Sequence, residues 1–378
     1  MKGLALLVLV AACAGQAEPP RPQPVRLPID AATLAPVVAA QDAAPAAGPR
    51  WLKGNTHTHT DSSGDSHTSN PDVVRWYTEH GYDFVVFTDH NVVNRYDNPG
   101  PLLVLPGVEL TNNPETCVPP PPEPSGHCRI HVNALFVERD TLPASDGAKL
   151  DWHEKDSPLR LDKYQRAIEA SHALGGVVQI NHPNWHWGMD GPMLAALAAR
   201  GAVLVEIANQ AFLPWNMGRT IKKNRYPSMD EIWDAALTAG ATIWGVASDD
   251  AHNYYDVTYQ REKGNGFGYP AGGGFVMVWA EKDPAAIREA MIAGRFYSST
   301  GVVLTRAEVE QDALVIEVAP DFSPHSVTFI GTGGVVLATH DEVTGARQPL
   351  AGLSGYVRAV VRDKYGQRAW TQPIRLPK

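Results

Sequence analysis

Cysteine is scarce in this chain, with three among 378 residues. That is too few for a disulfide-stapled scaffold, and a chain of this length buries a core without staples. Runs of like charge are also missing. With 32 Lys and Arg against 41 Asp and Glu, the formal net charge is −9, and no stretch gathers basic residues as a nucleic-acid footprint requires. This argues against extended nucleic-acid binding, while a small anionic substrate held by metal stays compatible. Long hydrophobic runs are absent too: the apolar run Gly3 to Val10 is too short to span a bilayer. Gly331-Thr332-Gly333-Gly334 is followed by no helical pattern, so it reads as a tight turn rather than a phosphate loop.

Lys2, the apolar run and the small residues after it have the form of an export signal. Val10-Ala11-Ala12-Cys13 resembles the bacterial lipobox, which implies a signal peptide over 1–12 and lipid attachment at Cys13. Ordinary cleavage a few residues later is the alternative. Residues 13–50, rich in Ala and Pro, read as a tether. The expectation is an exported cell-envelope lipoprotein, facing the periplasm or the surface, that meets the membrane through a lipid anchor only. The remaining cysteines, Cys117 and Cys128, bracket a proline-rich stretch that is neither helix nor central strand. In an oxidising compartment a disulfide is predicted there, constraining the unfolded chain by roughly 3 kcal/mol. Two unpaired thiols, or weak metal binding with His127, are the alternatives.

From Trp51 onward, short apolar runs alternate with amphipathic segments, the pattern of βα units. Asn70-Pro71 opens a helix that Gly81 stops, and Asp83 to Phe87 is a strand delivering Thr88-Asp89-His90. Leu102 to Leu105 leads to Gly107-Val108-Glu109, and Ile130 to Val137 carries His131 near its start. Val177 to Ile180 runs into Asn181-His182-Pro183, and Val203 to Ile207 ends in Ala208-Asn209. Ser228 and Glu231 form a capping box, and Thr242 to Val246 ends in Ser248-Asp249-Asp250-Ala251-His252. Phe275 to Trp279 and a helix opened by Asp283-Pro284 follow, giving about seven βα repeats over 51–300. After Val302 short alternating stretches between turns predict a small all-β sandwich over 301–378.

Polar clusters therefore recur just past apolar strands, the placement a barrel active site needs. His57-Thr58-His59-Thr60 puts two imidazoles on one side of an extended segment, since side chains alternate with period two. His57, His59, His90, Glu109, His131, His182, Asp250 and His252 form the candidate set, taking six of the 14 histidines. Imidazoles together with a carboxylate able to bridge are what a multinuclear site for divalent cations requires. Of the other histidines, only His186 is a modest candidate.

The ordered motifs His57-Thr58-His59-Thr60, Thr88-Asp89-His90, Gly107-Val108-Glu109, Asn181-His182-Pro183 and Asp250-Ala251-His252 resemble those of the polymerase and histidinol phosphatase (PHP) superfamily over residues 51 to about 300. The resemblance implies a distorted (β/α)7 barrel holding two or three divalent ions (Zn, Mn or Fe), with phosphoester hydrolysis the usual activity. Gly54-Asn55-Thr56-His57, Val74-Arg75-Trp76-Tyr77 and Gly81-Tyr82-Asp83-Phe84 are similar to an exported branch grouped with carbaryl-hydrolase-like metallohydrolases. The family's ligand aspartate after the HxHT motif stands in a Ser-Asp-Gly context; here the run is Asp61-Ser62-Ser63-Gly64-Asp65-Ser66, and Asp65 is chosen with Asp61 as runner-up.

The expected activity is metal-dependent phosphoester hydrolysis on a small phosphate ester or nucleotide, with Glu109, Asp250 and Arg129 as catalytic residues and Glu109 bridging two metals. Lys222, Lys223, Arg225 and Arg295 are further candidate clamps for phosphate oxygens, and Trp185 and Trp187 a candidate wall of the pocket. A carboxylic or carbamate ester metallohydrolase and a non-catalytic envelope metal-binding module are the alternatives. Radioactive palmitate labelling tests the anchor: Cys13→Ser should abolish both labelling and membrane fractionation, and if neither changes, the lipobox reading is wrong.

Overall fold

Apolar runs and turn residues set the first elements. The computed structural model describes residues 48–123, 126–142, 150–153, 156–255, 258, 269–321 and 323–377, so the expected signal peptide, lipid-bearing Cys13 and nearly all of the tether lie outside the described residues. β1 (Arg50–Asn55) is followed by α1 (Asn70–Glu79), whose first-turn Pro71 lacks only an N–H that would be unpaired there. Val73, Val74, Trp76 and Tyr77 form its buried face, and Gly81, at φ 70°, ends it. β2 (Phe84–Phe87), fully buried, pairs in parallel with β1. Gly54 is required at that pairing, because a Cβ there would sit 2.0 Å from the Phe84 ring.

β3 (Leu103–Asn112) runs straight through Glu109, whereas the sequence pattern ends the strand before it. Its first half, through Pro106, lies parallel to β2; from Gly107 on it pairs antiparallel with β4 (Ile130–Leu135). Gly107 sits at the change of partner, where a Cβ would meet Val86 at 2.8 Å and two carbonyl oxygens at 3.0 Å. A parallel return needs a crossover of a dozen or more residues, usually a helix. The connection to β4 holds Pro119-Pro120-Pro121-Pro122 and cannot form one, so β4 comes back antiparallel. Cys117 and Cys128 are disulfide-linked within it, with Cα atoms 6.0 Å apart.

α2 (Arg160–Ala173), β5 (Val177–Ile180), α3 (Gly191–Ala199), β6 (Leu204–Asn209), the short α4 (Leu213–Asn216) and the hairpin β7 (Arg219–Ile221) and β8 (Asn224–Tyr226) follow. α5 (Met229–Thr238) begins with the expected capping box of Ser228 and Glu231. It leads to β9 (Trp244–Ser248), and β10 (Phe275–Ala280), α6 (Pro284–Ile292) and β11 (Phe296–Ser299) complete this part. β5, β6 and β9 are parallel, β4 and β5 antiparallel, and β10 antiparallel to both β1 and β11. The uniformly parallel alternation read from the sequence is thus present only in part, and the architecture is mixed α/β around a large mixed sheet. Leu52, Phe84, Leu105, Leu135, Val177, Leu204, Val246 and Val276, one from each of β1 to β6, β9 and β10, pack in a single apolar cluster. β9 also meets the far side of the sheet: Ser298 and Gln372 donate to the Gly245 carbonyl at 2.7 and 2.8 Å.

The remaining strands are β12 (Leu304–Glu310), β13 (Ala313–Val318), β14 (His325–Gly331), β15 (Val335–Val343), β16 (Gly345–Pro349), β17 (Gly355–Asp363), β18 (Arg368–Thr371) and β19 (Ile374–Leu376). β12, β13 and β16 form a three-stranded sheet, while β18, β17, β14 and β15 extend the large sheet beyond β11. Leu314, Ile316, Val327, Phe329, Val357 and Val361 share one cluster, so the two layers bury a common sandwich-like core. The segment after residue 301 therefore continues the sheet that carries β1 to β11, and residues 47–378 cluster as one compact unit. No helix among the described residues is long and apolar enough to cross a membrane.

Arg358 on β17 ties this region to α5. Its guanidinium is fully buried and donates to Asp234 at 2.7 and 2.6 Å and to Asp230 at 3.2 Å, while the Tyr356 hydroxyl donates to Asp234 at 2.8 Å. Breaking a buried pair by removing one partner strands the other charge and costs about 3–5 kcal/mol. Arg358→Ala should lose that much in urea unfolding with metal content unchanged, and joint replacement of Arg358 by Met and Asp234 by Leu should recover most of it. A loss within about 0.5 kcal/mol, ordinary for a surface change, would show that the pair does not join the two regions.

Candidate metal centre

The segment after β1 is held extended by its own side chains and its neighbours. Asn55 Oδ1 accepts the His57 N–H at 2.9 Å, Thr88 Oγ1 accepts the Thr58 N–H at 2.9 Å, and Asn133 donates to the Thr56 carbonyl at 2.9 Å. Asp89, next to His90, takes the Thr60 N–H at 2.6 Å and the Thr60 hydroxyl at 2.9 Å. Held this way, His57 and His59 turn to the same side: their Nε2 atoms stand 3.3 and 3.1 Å from one oxygen of Asp250.

Glu109 lies at the centre and has no exposed surface. Its Oε1 is 3.4 Å from His57 Nε2, 3.0 Å from His131 Nδ1 and 3.5 Å from His182 Nε2; its Oε2 is 2.7 Å from His90 Nδ1 and 3.7 Å from His59 Nε2. His131 reaches this point because β4 is antiparallel, which puts its first residues at the end where the parallel strands finish. Asp65 and Asp61 are both exposed, and it is Asp65 that joins a donor group, its Oδ2 facing His90 at 3.1 Å and His252 at 3.4 Å. Three groups of donor atoms could each hold an ion: His59, Asp65, His90 and His252; His57, His59 and Asp250; and His57, Glu109 and His182. The Nε2 atoms of His57 and His59 are buried and, although carboxylate oxygens stand 3.1 to 3.4 Å away, make no well-directed hydrogen bond. An orphaned buried imidazole nitrogen is costly unless something coordinates it, so the donor set fits divalent cations.

Charge is distributed unevenly over the cluster. Burial opposes ionisation of Glu109 and Asp250, but the surrounding imidazoles outweigh it and hold both carboxyls below the usual carboxylate range. Burial also opposes a charge on His57, yet Asp250, Glu206 and Glu109 raise it well above the ordinary histidine value. His90 is pushed up to about 10, Glu109 and Asp65 prevailing over burial. Burial, aided by His252 and His90, lowers His59 to about 3, and burial lowers His131 to about 4. Asp249, beside Asp250, is not part of the donor groups: burial raises it to about 6, and it accepts the Tyr77 hydroxyl and the Gly273 and Gly274 N–H groups.

The site opens into a cavity of about 360 Å³ lined by Asp65, His90, Glu109, His131, His182, Asp250 and His252, with Thr111, Asn113, Arg129, Trp185, Phe212 and Tyr269. A larger cavity of about 550 Å³, lined by Trp51, Trp244 and Trp279 among others, has no histidine in its wall. Of the basic candidates, Arg129 alone lines the site cavity. Lys222 and Lys223 are exposed at the β7–β8 turn, Arg225 pairs with Glu231, and Arg295 pairs with Glu289 at 3.1 Å. Trp187 stacks on Tyr226 with ring centres 4.9 Å apart, and His186 pairs with Glu123 at 2.7 Å, so neither belongs to the cavity wall.

Glu206 is the residue that motif reading passes over. It is fully buried; one oxygen faces His57 Nδ1 at 2.7 Å and accepts the Ser248 hydroxyl at 2.5 Å, and the other accepts the His182 N–H at 2.5 Å and the Asn209 amide at 2.8 Å. The available signal was a lone carboxylate within the apolar strand Val203-Leu204-Val205-Glu206-Ile207, since Glu is almost never fully buried unless paired.

No family model matches the chain, and no curated protein matches it. Among solved structures, a DUF3244 family protein with an immunoglobulin-like β-sandwich fold from Bacteroides vulgatus aligns over 20% of this chain and 97% of its own, at 8% identity and a TM-score of 0.17. A likeness that slight carries no argument.

Carboxylate partners that orient a ligating histidine typically matter 10–100-fold in metal affinity. Glu206→Gln should weaken binding of added Zn²⁺ or Mn²⁺ by about that factor. In the metal-free protein His57 and His90 have raised pKa values, so they hold protons at neutral pH and must lose them to coordinate. Metal binding should therefore release protons and tighten as pH rises through neutrality toward about 10, where His90 loses its proton, read by calorimetry in buffers of different ionisation enthalpy. Unchanged affinity in Glu206→Gln, or uptake without proton release, would contradict this account.

Proposed function

We propose that this chain is a metal-dependent hydrolase of the PHP type, a phosphoesterase acting on small phosphate esters. The observation that carries the reading is Glu109, whose two oxygens face imidazoles of different donor groups: His57 and His182 on one side, His90 and His59 on the other. A carboxylate so placed would bridge two cations and offset their charge. The resemblance of the ordered motifs agrees, since every residue carried over from it lies at this one place, together with Asp65. In this reading the curled mixed sheet is a distorted (β/α)7 barrel with its site at the strand ends.

His57, His59, Asp65, His90, Glu109, His131, His182, Asp250 and His252 would hold two or three divalent ions (Zn, Mn or Fe). Such ions, when bound, supply a strong nucleophile at neutral pH and neutralise charge developing on phosphoryl oxygens. The chain's own residues do the rest. Glu206 keeps His57 turned so that Nε2 faces Asp250 and Glu109. Asn181 donates to Glu109 at 2.9 Å and fixes its rotamer. Arg129 can bind a non-bridging phosphate oxygen through its fork of donors. Trp185 and Phe212 narrow the cavity and exclude water.

A second reading, hydrolysis of carboxylic or carbamate esters, is favoured by one observation: among the described residues Arg129 is the sole Arg or Lys in the cavity wall, beside the aromatic Trp185, Phe212 and Tyr269. Parallel assays with 4-nitrophenyl phosphate and a 4-nitrophenyl carbamate separate the two. Glu109→Ala should reduce kcat on the preferred ester by at least roughly a thousandfold, about 4 kcal/mol of transition-state stabilisation, with the fold intact by circular dichroism. A folded Glu109→Ala protein with full metal content and near-normal turnover would remove Glu109 from the mechanism, and no turnover of either ester by the unaltered metal-loaded protein would leave a non-catalytic metal-binding module as the better description.

A further inference from the structure

The mouth of the cavity has its own organisation, separate from the metal ligands. The Arg129 guanidinium stands 4.9 Å from the centre of the Trp185 ring, and its Nε is buried with no hydrogen-bond partner. Among the described residues no carboxylate forms an ion pair with it, although acidic groups crowd the floor below. Trp185 packs on Phe212 with ring centres 4.3 Å apart, and its ring centre lies 5.4 Å from that of His182 and 6.0 Å from that of His131. A flat apolar surface and an unneutralised cation thus stand beside two of the groups that would hold metal.

This pair is held at some conformational cost. His182, His186 and Trp187 adopt left-handed backbone angles, with φ of 24°, 56° and 60°, a region that non-glycine residues seldom enter. The turn they form is clamped from two sides. Asn184 donates to the Trp215 and Pro227 carbonyls at 2.7 and 2.9 Å, and His186 pairs with Glu123 at 2.7 Å while stacking on Trp185. Glu123 belongs to the loop closed by Cys117 and Cys128, and Arg129 directly follows Cys128. One disulfide-closed loop therefore positions both members of the pair.

We propose that Arg129 and Trp185 form a single recognition unit for phosphate monoesters of flat, aromatic alcohols, with the Cys117–Cys128 loop as its support. The proposal rests on the phosphoesterase reading and adds the substrate class. One guanidinium in the wall among the described residues suits one phosphoryl group rather than a polyphosphate chain, and a cavity of about 360 Å³ suits one compact ring system. Trp185 supplies the stacking surface, and Glu123 acts as a positioning residue through His186.

The test uses the metal-loaded full chain and two ligands that cannot be hydrolysed, phenylphosphonate and methylphosphonate, titrated by calorimetry. Phenylphosphonate should bind at least about tenfold more tightly, the worth of one good aromatic contact. Trp185→Ala should remove that gap and leave methylphosphonate affinity within twofold, Trp185→Phe should keep most of it, and Arg129→Met should weaken both ligands about tenfold. Glu123→Gln should shrink the gap without altering metal content. Equal affinities in the unaltered protein, or a gap that survives in folded Trp185→Ala or Trp185→Leu, overturn the proposal. A gap without turnover of 4-nitrophenyl phosphate would instead reject the phosphoesterase reading, and turnover without a gap would keep that reading and reject this one.

Discussion

A carboxylate with no contact with water has to be answered by opposite charge, and Glu109 is such a group. The imidazoles around it come from β4, from the segment after β1 and from the ends of β2 and β5, which sheet pairing and a shared apolar cluster bring together. Their own demands follow in turn. His57 needs a second partner on its other nitrogen, which Glu206 provides, and Glu206 must then be satisfied by Ser248, Asn209 and the His182 backbone. The hydrogen bonds that satisfy this one carboxylate and its partners thereby link β1, β3, β5, β6 and β9 across the site.

The same logic explains why acidic residues adjacent in sequence do different work. Asp249 and Asp250 are neighbours, yet Asp250 faces imidazoles while Asp249 accepts N–H groups of Gly273 and Gly274. Asp89 and His90 divide similarly: His90 turns to Glu109, and Asp89 staples the Thr60 end of the histidine-bearing segment. In each pair one residue presents donor atoms that could hold a cation and its neighbour fixes the backbone that carries them. An ion arriving at such a site finds the geometry already formed and brings chiefly the cost of displacing protons.

Stability and recognition are separated in space. The region after residue 301 joins the rest through continuous sheet pairing at β11 and β18 and through the buried Arg358–Asp234 pair, and it supplies none of the site's donor groups. The cavity mouth depends instead on a proline-rich loop and on a turn in left-handed geometry that begins at His182, itself in one of the donor groups. The candidate donor groups lie in the floor, and Arg129 and Trp185 stand in the wall above them.

Sequence alone determined what depends on local periodicity and local chemistry. The helix caps at Ser228 and Asp283, the apolar strands and the gathering of polar motifs at their ends were legible because each rests on residues a few positions apart. The pairing of Cys117 with Cys128 was legible because a loop this short admits few alternatives. What the tertiary structure decided are pairings between distant residues. The reversal of β4 follows from what the proline run prevents, and the continuation of the large sheet through β18 follows from edge pairing that no local pattern records. Glu206, 149 residues from His57, carries no motif of its own and becomes a site residue only when two strand ends are brought within hydrogen-bonding distance. Trp185 and Trp187 look alike in the sequence, and only the folded turn sends one to the cavity and the other to Tyr226. Periodicity tells which side of an element is buried, but the neighbour it is buried against is set by long-range packing.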